Sequence, residues 1–476
     1  MPSRGFSPMA KARGHAGVNT SKEETMHTLQ RTHALVIGGG IAGLLAARVL
    51  VKHFHHVTLV ERDHYPQEPI FRPGVPQGRQ VHTLLLRGQQ ALETLFPGLG
   101  KKLLAHGAIA HDYGNESLYY YGGRCPHIPP TLLQGWTSSR LLLEWQIRQE
   151  LLGYHSLCFK EGYEVMGLVA SAEKKQVTGV RIRERTHTPP ESREISQITA
   201  DLVVDASGSS SLAPRWLEEL GYDAPKETIV DTLVGYATRF YMPPAQRNDW
   251  KLIAIQGTQQ SQRGGVLMAI EGNRWMVVLA GTKKDYPSTR EEEFLTFARS
   301  LPDPTLYEAI KEATPISPIY GYRHTANRIR HFEQLQQYPE QFLVLGDAAC
   351  CFNPIYGQGM TVAALEALML DVCLGESSRQ QGFAHRFQRK VAHAIATPWQ
   401  LATAAALPGT KESLTGRVSR WYLEHLISLL PTDQATWLTF LEVIHMLRSP
   451  LALMHPRIVA KVLTARKRIS SPESRT

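Results

Sequence analysis

Five apolar-leaning residues, His33–Ile37, run directly into Gly38-Gly39-Gly40-Ile41-Ala42-Gly43. A helical apolar pattern over 44–53 follows, and then a second apolar run, 57–60, that ends in Glu61. Strand, G-x-G-x-x-G, helix, strand, acid is the order a βαβ unit needs to hold the pyrophosphate of a dinucleotide. Gly38 permits the tight turn, Gly40 lets the backbone approach a phosphate, and Gly43 lets the helix pack against the strand. Ile41 and Ala42 open the helix, whose N-terminus favours an anion. Glu61, followed by Arg62, stands where a carboxylate accepts from a ribose hydroxyl. An isolated glycine pattern is most often only a turn. With both strands, the helix and the acid present, dinucleotide binding is favoured, and the chain must contain a parallel α/β sheet.

A second stretch lies three hundred residues downstream. The apolar run 342–345 leads into Gly346-Asp347, then Ala-Ala-Cys-Cys-Phe-Asn-Pro354-Ile-Tyr-Gly357-Gln-Gly359-Met360, and then a helix-like segment over 361–374. A strand that delivers one carboxylate, a Pro/Gly loop with bare N–H groups and a helix start suit a cofactor with hydroxyls beside a ring that takes up negative charge. Between the two stretches, 200–205 reads as a strand ending in Asp205-Ala206-Ser207-Gly208. Ser139 is a good N-cap for a helix over 141–152, and Arg140 in its first turn is badly placed for the helix dipole unless it reaches an anion.

Composition narrows the classes. A chain of 476 residues, 43% hydrophobic, can bury a large core in two or three domains. The five cysteines have neither zinc-site nor disulfide spacing, so a reducing, cytoplasmic setting is the simplest, and no metal is expected. The net charge of +9 is scattered apart from a basic tail at 466–468, and no nucleic-acid stripe is evident. Residues 1–30 read as a disordered extension in which Met26 is an alternative start to Met1. No run reaches the ~20 apolar residues of a membrane helix.

Taken together, 38–43 with Glu61, 205–208 and 346–359, in this order, resemble the single-component FAD-dependent monooxygenases of the para-hydroxybenzoate hydroxylase type over roughly residues 31–400. The run Arg72-Pro73-Gly74-Val75-Pro76-Gln77-Gly78-Arg79-Gln80-Val81-His82, with Leu-Phe-Pro-Gly-Leu at 95–99, is similar to a narrower group, the bacterial epoxidases of polyether polyenes related to squalene epoxidase. The resemblance implies an α/β fold: a Rossmann-like FAD-binding domain (31–115, 136–228 and 330–399), an inserted mixed β-sheet substrate domain (116–135 and 229–329), and a C-terminal helical region (400–476). It implies that Gly38, Gly40 and Gly43 hold the FAD pyrophosphate and Glu61 the adenosine ribose. Arg72, Gly74 and Val75 pass the flavin, which His82 also approaches. Arg140 contacts the cofactor, Asp347 binds the ribityl chain, and Pro354, Gly357, Gly359 and Met360 line the isoalloxazine. The usual middle motif is Asp-Gly. Here it is Asp205-Ala206-Ser207-Gly208, which leaves open whether NAD(P)H reduces the flavin directly or through a separate flavin reductase.

In this family the chemistry belongs to the cofactor: reduced flavin and O2 form a C4a-hydroperoxide whose distal oxygen goes to an alkene or an electron-rich ring. Epoxidation needs no protein nucleophile, so no catalytic side chain is assigned. A dry pocket is required. Strands expected over 233–242, 251–255, 266–270 and 274–280, with 119–121, would roof the flavin. Tyr236, Phe240, Met268, Trp275 and Met276 are candidates to face a lipophilic substrate, and Tyr320 and Tyr322 could reach the site. Aromatic and Met residues in strands are also ordinary core. Helical spacing over 414–430 and 437–447, with a further segment to 463, predicts a C-terminal region packed on the substrate domain; weak peripheral membrane contact is the alternative. The expected activity is epoxidation of a bulky polyketide or terpenoid alkene. Aromatic hydroxylation, reduction of an isoprenoid and a non-enzymatic flavin protein are the alternatives. A flavin halogenase would need a catalytic lysine and a Trp-x-Trp-x-Ile-Pro segment, which Trp136 and Trp145 do not supply.

Overall fold

The computed structural model describes residues 31–129, 133–185, 194–258, 261–323, 325–354, 357–377, 381–403 and 414–465. The expected N-terminal extension, the basic tail, most of 186–197, where Pro189-Pro190 predicts an exposed hairpin tip, and Ile355 and Tyr356 lie outside the described residues.

The opening motif folds as its spacing predicts. β1 (His33–Ile37) leads into α1 (Ile41–His53) and β2 (His56–Glu61). Ala34, Leu35 and Val36 are completely buried, because a parallel strand is covered on both faces and reads as a continuous apolar run. Three further strands complete a five-stranded parallel sheet in the order Phe342–Val344, Leu202–Asp205, β1, β2, Leu157–Glu161. The sheet therefore brings the ends of β1, β2, Leu202–Asp205 and Phe342–Val344 side by side. Each ends in one of the motifs, and ligands bind at such carboxyl ends.

The second large sheet has seven strands. Val234–Met242 pairs antiparallel with Arg274–Thr282, which continues through Arg263–Ile270 to Leu252–Ile255. Ser117–Tyr120 adds in parallel, so the sheet is mixed. Alternation assigns its faces. Ala237, Tyr241, Trp275, Val277 and Leu279 point to one side and pack on the helices Glu291–Arg299 and Thr305–Ile310. Trp275 is thus turned away from the cofactor side, contrary to expectation, because it is one residue out of phase with Met276. The other face carries Tyr236, Thr238 and Phe240, with Tyr322 opposite Tyr236 and Tyr320 opposite Thr238.

The C-terminal segment is helical, as expected: Leu414–Leu429, Gln434–Ile444 and Pro456–Thr464. Trp437 and Leu441 are completely buried against the second face of the large sheet, in one cluster with Tyr113, Tyr119, Phe240, Met268 and Met276. The helix Gln358–Ser377 is the exception to the expectation that no apolar run has membrane length. Among the described residues it alone is long and apolar enough, over Gln358–Glu376. Some 61% of its apolar window is buried, where it packs against α1, the helix Leu86–Leu95 and the helix Phe383–Thr403.

Candidate functional site

A cleft of about 450 Å³ runs along the carboxyl ends of the parallel sheet. Gly38, Gly40, Ile41 and Ala42 line it together with Pro354, Gly357, Gly359 and Met360, and so do Glu61, Arg62, Arg72, Gly74, Val75, His82, Arg140, Ala206, Gly208 and Asp347. Residues separated by more than three hundred positions therefore meet in one groove.

The glycine loop is held open by its neighbours. Gly38 has φ +92°, and a β-carbon on it would lie 2.7 Å from Ser207 Cα. Gly40, by contrast, has φ −74° and nothing within 4 Å of a would-be β-carbon; the missing side chain leaves room in the cleft itself. No side chain caps α1 and no acid occupies its first turn, so its N–H groups face the groove free for an anion. Glu61 Oε2 accepts from Gly39 N at 2.6 Å and Oε1 from Asp63 N at 3.0 Å, while the acid also lines the cleft. Arg72 is a clamp: it donates to Gly39 O at 3.0 Å and to Asp63 at 3.1 Å, and it pairs with Glu144 at 2.8 Å. Tyr65, not anticipated, donates from its hydroxyl to Gly39 O at 2.8 Å.

Ser139 caps its helix by accepting from Leu142 N at 3.1 Å, and Arg140, which shares Glu144 with Arg72, lines the groove. Its Nε is buried without a protein partner, as is Oε1 of Gln358 at the start of the helix that follows Gly357. Among the described residues none donates a hydrogen bond to the Asp347 carboxylate, whose pKa is raised by burial against the opposing pull of Arg140 and Arg328. A bare helix start, an unsatisfied guanidinium N–H and an unsatisfied carboxylate fit a group that carries phosphates and hydroxyls together, as FAD does. His82 lines the same wall. Its Nδ1–H donates to Gln80 O at 2.8 Å, and burial together with Arg140 lowers its pKa to about 3, so the ring is neutral.

Three anticipated cofactor residues do not reach the cleft. A β-carbon on Gly43 would lie 1.8 Å from Gly38 O, so this glycine serves helix-to-loop packing. Asp205 is completely buried and turned inward, accepting from Ser211 Oγ at 2.5 Å and from Ser207 N at 2.9 Å. Gly346, at φ +63°, admits Ala42, whose Cβ would be 2.6 Å from its own. Of the five proposed pocket residues, Tyr322 alone lines the cleft; Tyr236 donates from its hydroxyl to Asn353 Oδ1, Tyr320 packs against Phe71, and Phe240 and Met268 belong to the cluster beneath Trp437. Cys350 and Cys351, in the stretch between Asp347 and Pro354 that the sequence suggests is a loop, form a short strand paired with Asn327–Arg330, and Cys351 lines the groove.

Sequence reading also passed over Glu366. It is fully buried in the helix Gln358–Ser377, its Oε2 accepts from Gly346 N at 2.6 Å, and burial pushes its pKa up to about 8. An acid in the middle of the apolar run Val362–Leu370 was the available signal.

Comparison with known proteins agrees with this geometry. Residues 31–405 match the family described as FAD binding domain. Protein Rv3254 of Mycobacterium tuberculosis is 32% identical over 347 residues, covering 71% of this chain and 72% of that protein. Kynurenine 3-monooxygenase of Salinispora tropica is 26% identical over 373 residues, covering 72% and 73%. Among solved structures, a triple mutant of the flavin-dependent brominase Bmp2 superposes with a TM-score of 0.65 at 15% identity, covering 90% of this chain and 98% of that one, a likeness of fold. The chain belongs to the FAD-binding-domain family and is an FAD-dependent monooxygenase.

Proposed function

We propose that this monooxygenase delivers oxygen to a carbon–carbon double bond of a bulky lipophilic molecule, polyketide or terpenoid in character, and releases an epoxide. The observation that carries this reading is a row of side chains across the inner face of the large sheet. Phe240 stands opposite Met276, Met276 opposite Met268, and Met268 opposite Leu252, all on one face and all buried. Methionine is flexible and polarisable, so such a row adapts to an irregular apolar ligand.

Bound and reduced, FAD supplies the activated oxygen from O2. The chain's own residues bind and orient. The bare start of α1 would receive the pyrophosphate, Arg140 would add a cation, and Asp347 would accept from ribityl hydroxyls. The start of the helix Gln358–Ser377, which lines the cleft, would favour negative charge on a ring held beside it. Of this row Met268 lines a small void beside the cleft, where it would help to keep water out. Asp205 is tied internally, which supports electron delivery by a separate flavin reductase over a dedicated NAD(P)H subsite. Among the described residues that line the cleft there is no lysine, which argues against halogenation.

Ring hydroxylation is the second reading, favoured by the likeness to kynurenine 3-monooxygenase. The test supplies the holoenzyme with NADPH, a flavin reductase and 18O2, and offers linear terpenoid alkenes beside phenols and anilines. Epoxides bearing one labelled oxygen are expected from the alkenes. Labelled phenolic products with no epoxide would replace the first reading by the second.

A further inference from the structure

The C-terminal helices lie outside the stretch that matches the family, which ends at residue 405. They nevertheless close the face of the large sheet that leads to the cofactor cleft. The helix Gln434–Ile444 places Trp437 edge-on to Tyr119 at 5.0 Å and tilted against Tyr121 at 5.7 Å, with no exposed surface. The end of the same helix is fastened to the body: His445 Nδ1 accepts from Leu86 N at 3.3 Å and His445 O from Arg87 N at 3.2 Å. These are free N–H groups at the start of the helix Leu86–Leu95, which has no cap of its own.

A second, much smaller cavity of about 10 Å³ lies between this cluster and the cleft. His82, Thr83, Arg140 and Met360 belong to both cavities, and Tyr113 and Met268 belong both to the small cavity and to the cluster under Trp437. The cofactor groove therefore adjoins a void of about one water, and Tyr113 and Met268 on the wall of that void belong to the same buried cluster as the indole of Trp437.

We propose that Trp437 determines substrate specificity by setting how far a lipophilic substrate extends from the flavin edge along the inner face of the sheet. The proposal rests on the reading of the substrate as lipophilic. Tyr113 and Met268 yield as the substrate enters, and Trp437, held by two tyrosines on a fastened helix, is the wall at the far end. The shared domain then supplies the oxygen chemistry, and the helical cap particular to this part of the chain supplies the length limit. Removing the indole leaves a void of roughly benzene size, room for about five or six carbons, or one isoprene unit.

The experiment compares wild-type holoenzyme with Trp437→Ala and Trp437→Phe, using geraniol, farnesol and geranylgeraniol as probes. Affinity is read from the perturbation of the flavin visible spectrum, and oxygenation from 18O incorporation. Trp437→Ala is expected to raise the preference for the longest over the shortest probe at least tenfold, and Trp437→Phe to shift it in the same direction by less. Because Trp437→Phe keeps an aromatic ring in place, it decides the matter if Trp437→Ala does not fold. An unchanged length preference, in enzymes that still bind and oxygenate these probes, overturns the proposal alone. Failure of every probe to perturb the flavin spectrum in wild type and both variants overturns the lipophilic reading and the proposal with it.

Discussion

Gly40 and Gly43 belong to one hexapeptide, yet the structure gives them opposite roles, and this can be tested directly. At Gly40 the backbone is extended, at φ −74° and ψ −176°, and a β-carbon would meet nothing within 4 Å. Gly40→Ala therefore fits the folded chain without strain. Loss of glycine's freedom in the unfolded state should stabilise the flavin-free protein by about 0.4–1 kcal/mol. The new methyl projects into the cofactor groove and holds phosphate away from the N–H groups of α1. Losing one hydrogen bond to a charged group costs about 1.5–3 kcal/mol, or roughly 10–150-fold in affinity. At Gly43 the β-carbon would lie 1.8 Å from Gly38 O, so backbone must move by more than about 1 Å to reach normal contact. Overpacking of this kind costs about 1–3 kcal/mol or more whether or not flavin is present. Thermal unfolding of flavin-stripped protein and titration with FAD by fluorescence quenching separate the two effects. Gly40→Ala should leave the apo melting temperature unchanged or slightly raised and weaken FAD at least tenfold, whereas Gly43→Ala should lower the melting temperature of both forms. If Gly40→Ala destabilises the apo protein as much as Gly43→Ala does, or binds FAD within twofold of wild type, the assigned division between the two glycines is wrong.

Two further outcomes follow from buried titratable groups. His445 must be neutral to accept from Leu86 N, and burial lowers its pKa from 6.5 to about 4. Its contribution is complete above pH 6.5 and drains away as pH falls to about 4, an upper bound on the order of 3 kcal/mol. His445→Gln, which keeps an acceptor and cannot titrate, should flatten the dependence of the urea midpoint on pH in that window; an unaltered slope would show that the ring does not cap the helix. Glu366 is the opposite case, with a folded pKa of about 8 against an ordinary 4.5. The folded acid keeps a proton that the unfolded chain releases, so it costs stability increasingly from pH 4.5 to 8, up to about 3 kcal/mol at pH 7. Glu366→Gln should gain stability over wild type from pH 5 to pH 8, and a gain independent of pH would mean that the side chain is ionised in the fold.

Much of the site is legible in the chain because local spacing fixes local geometry. The glycine pattern between an apolar run and a helical repeat permits one kind of turn, and β1, α1 and β2 follow it. Ser139 before a helical pattern caps that helix. Strict alternation along Val234–Met242 puts Tyr236, Thr238 and Phe240 on one face. Less legible are contacts between residues far apart in sequence. Glu61 has the position of a ribose acceptor, yet its orientation is set by Gly39 N and Asp63 N. Asp205 ends a strand as a ligand-binding acid would, yet Ser211 turns it inward.

By itself the sequence determined which segments are strand or helix, which residue types stand at the strand ends, and thus the capacity to bind a dinucleotide cofactor in the manner of a flavin monooxygenase. These follow from backbone dihedral preferences and side-chain periodicity, which act over a few residues. Only the tertiary structure decided which glycines open into the cleft and which serve packing, that Glu366 is shut in beside Gly346, and that Trp437 covers the Met-rich face of the large sheet. Those outcomes depend on which buried surfaces meet once hundreds of intervening residues have folded, and no local pattern records the partner.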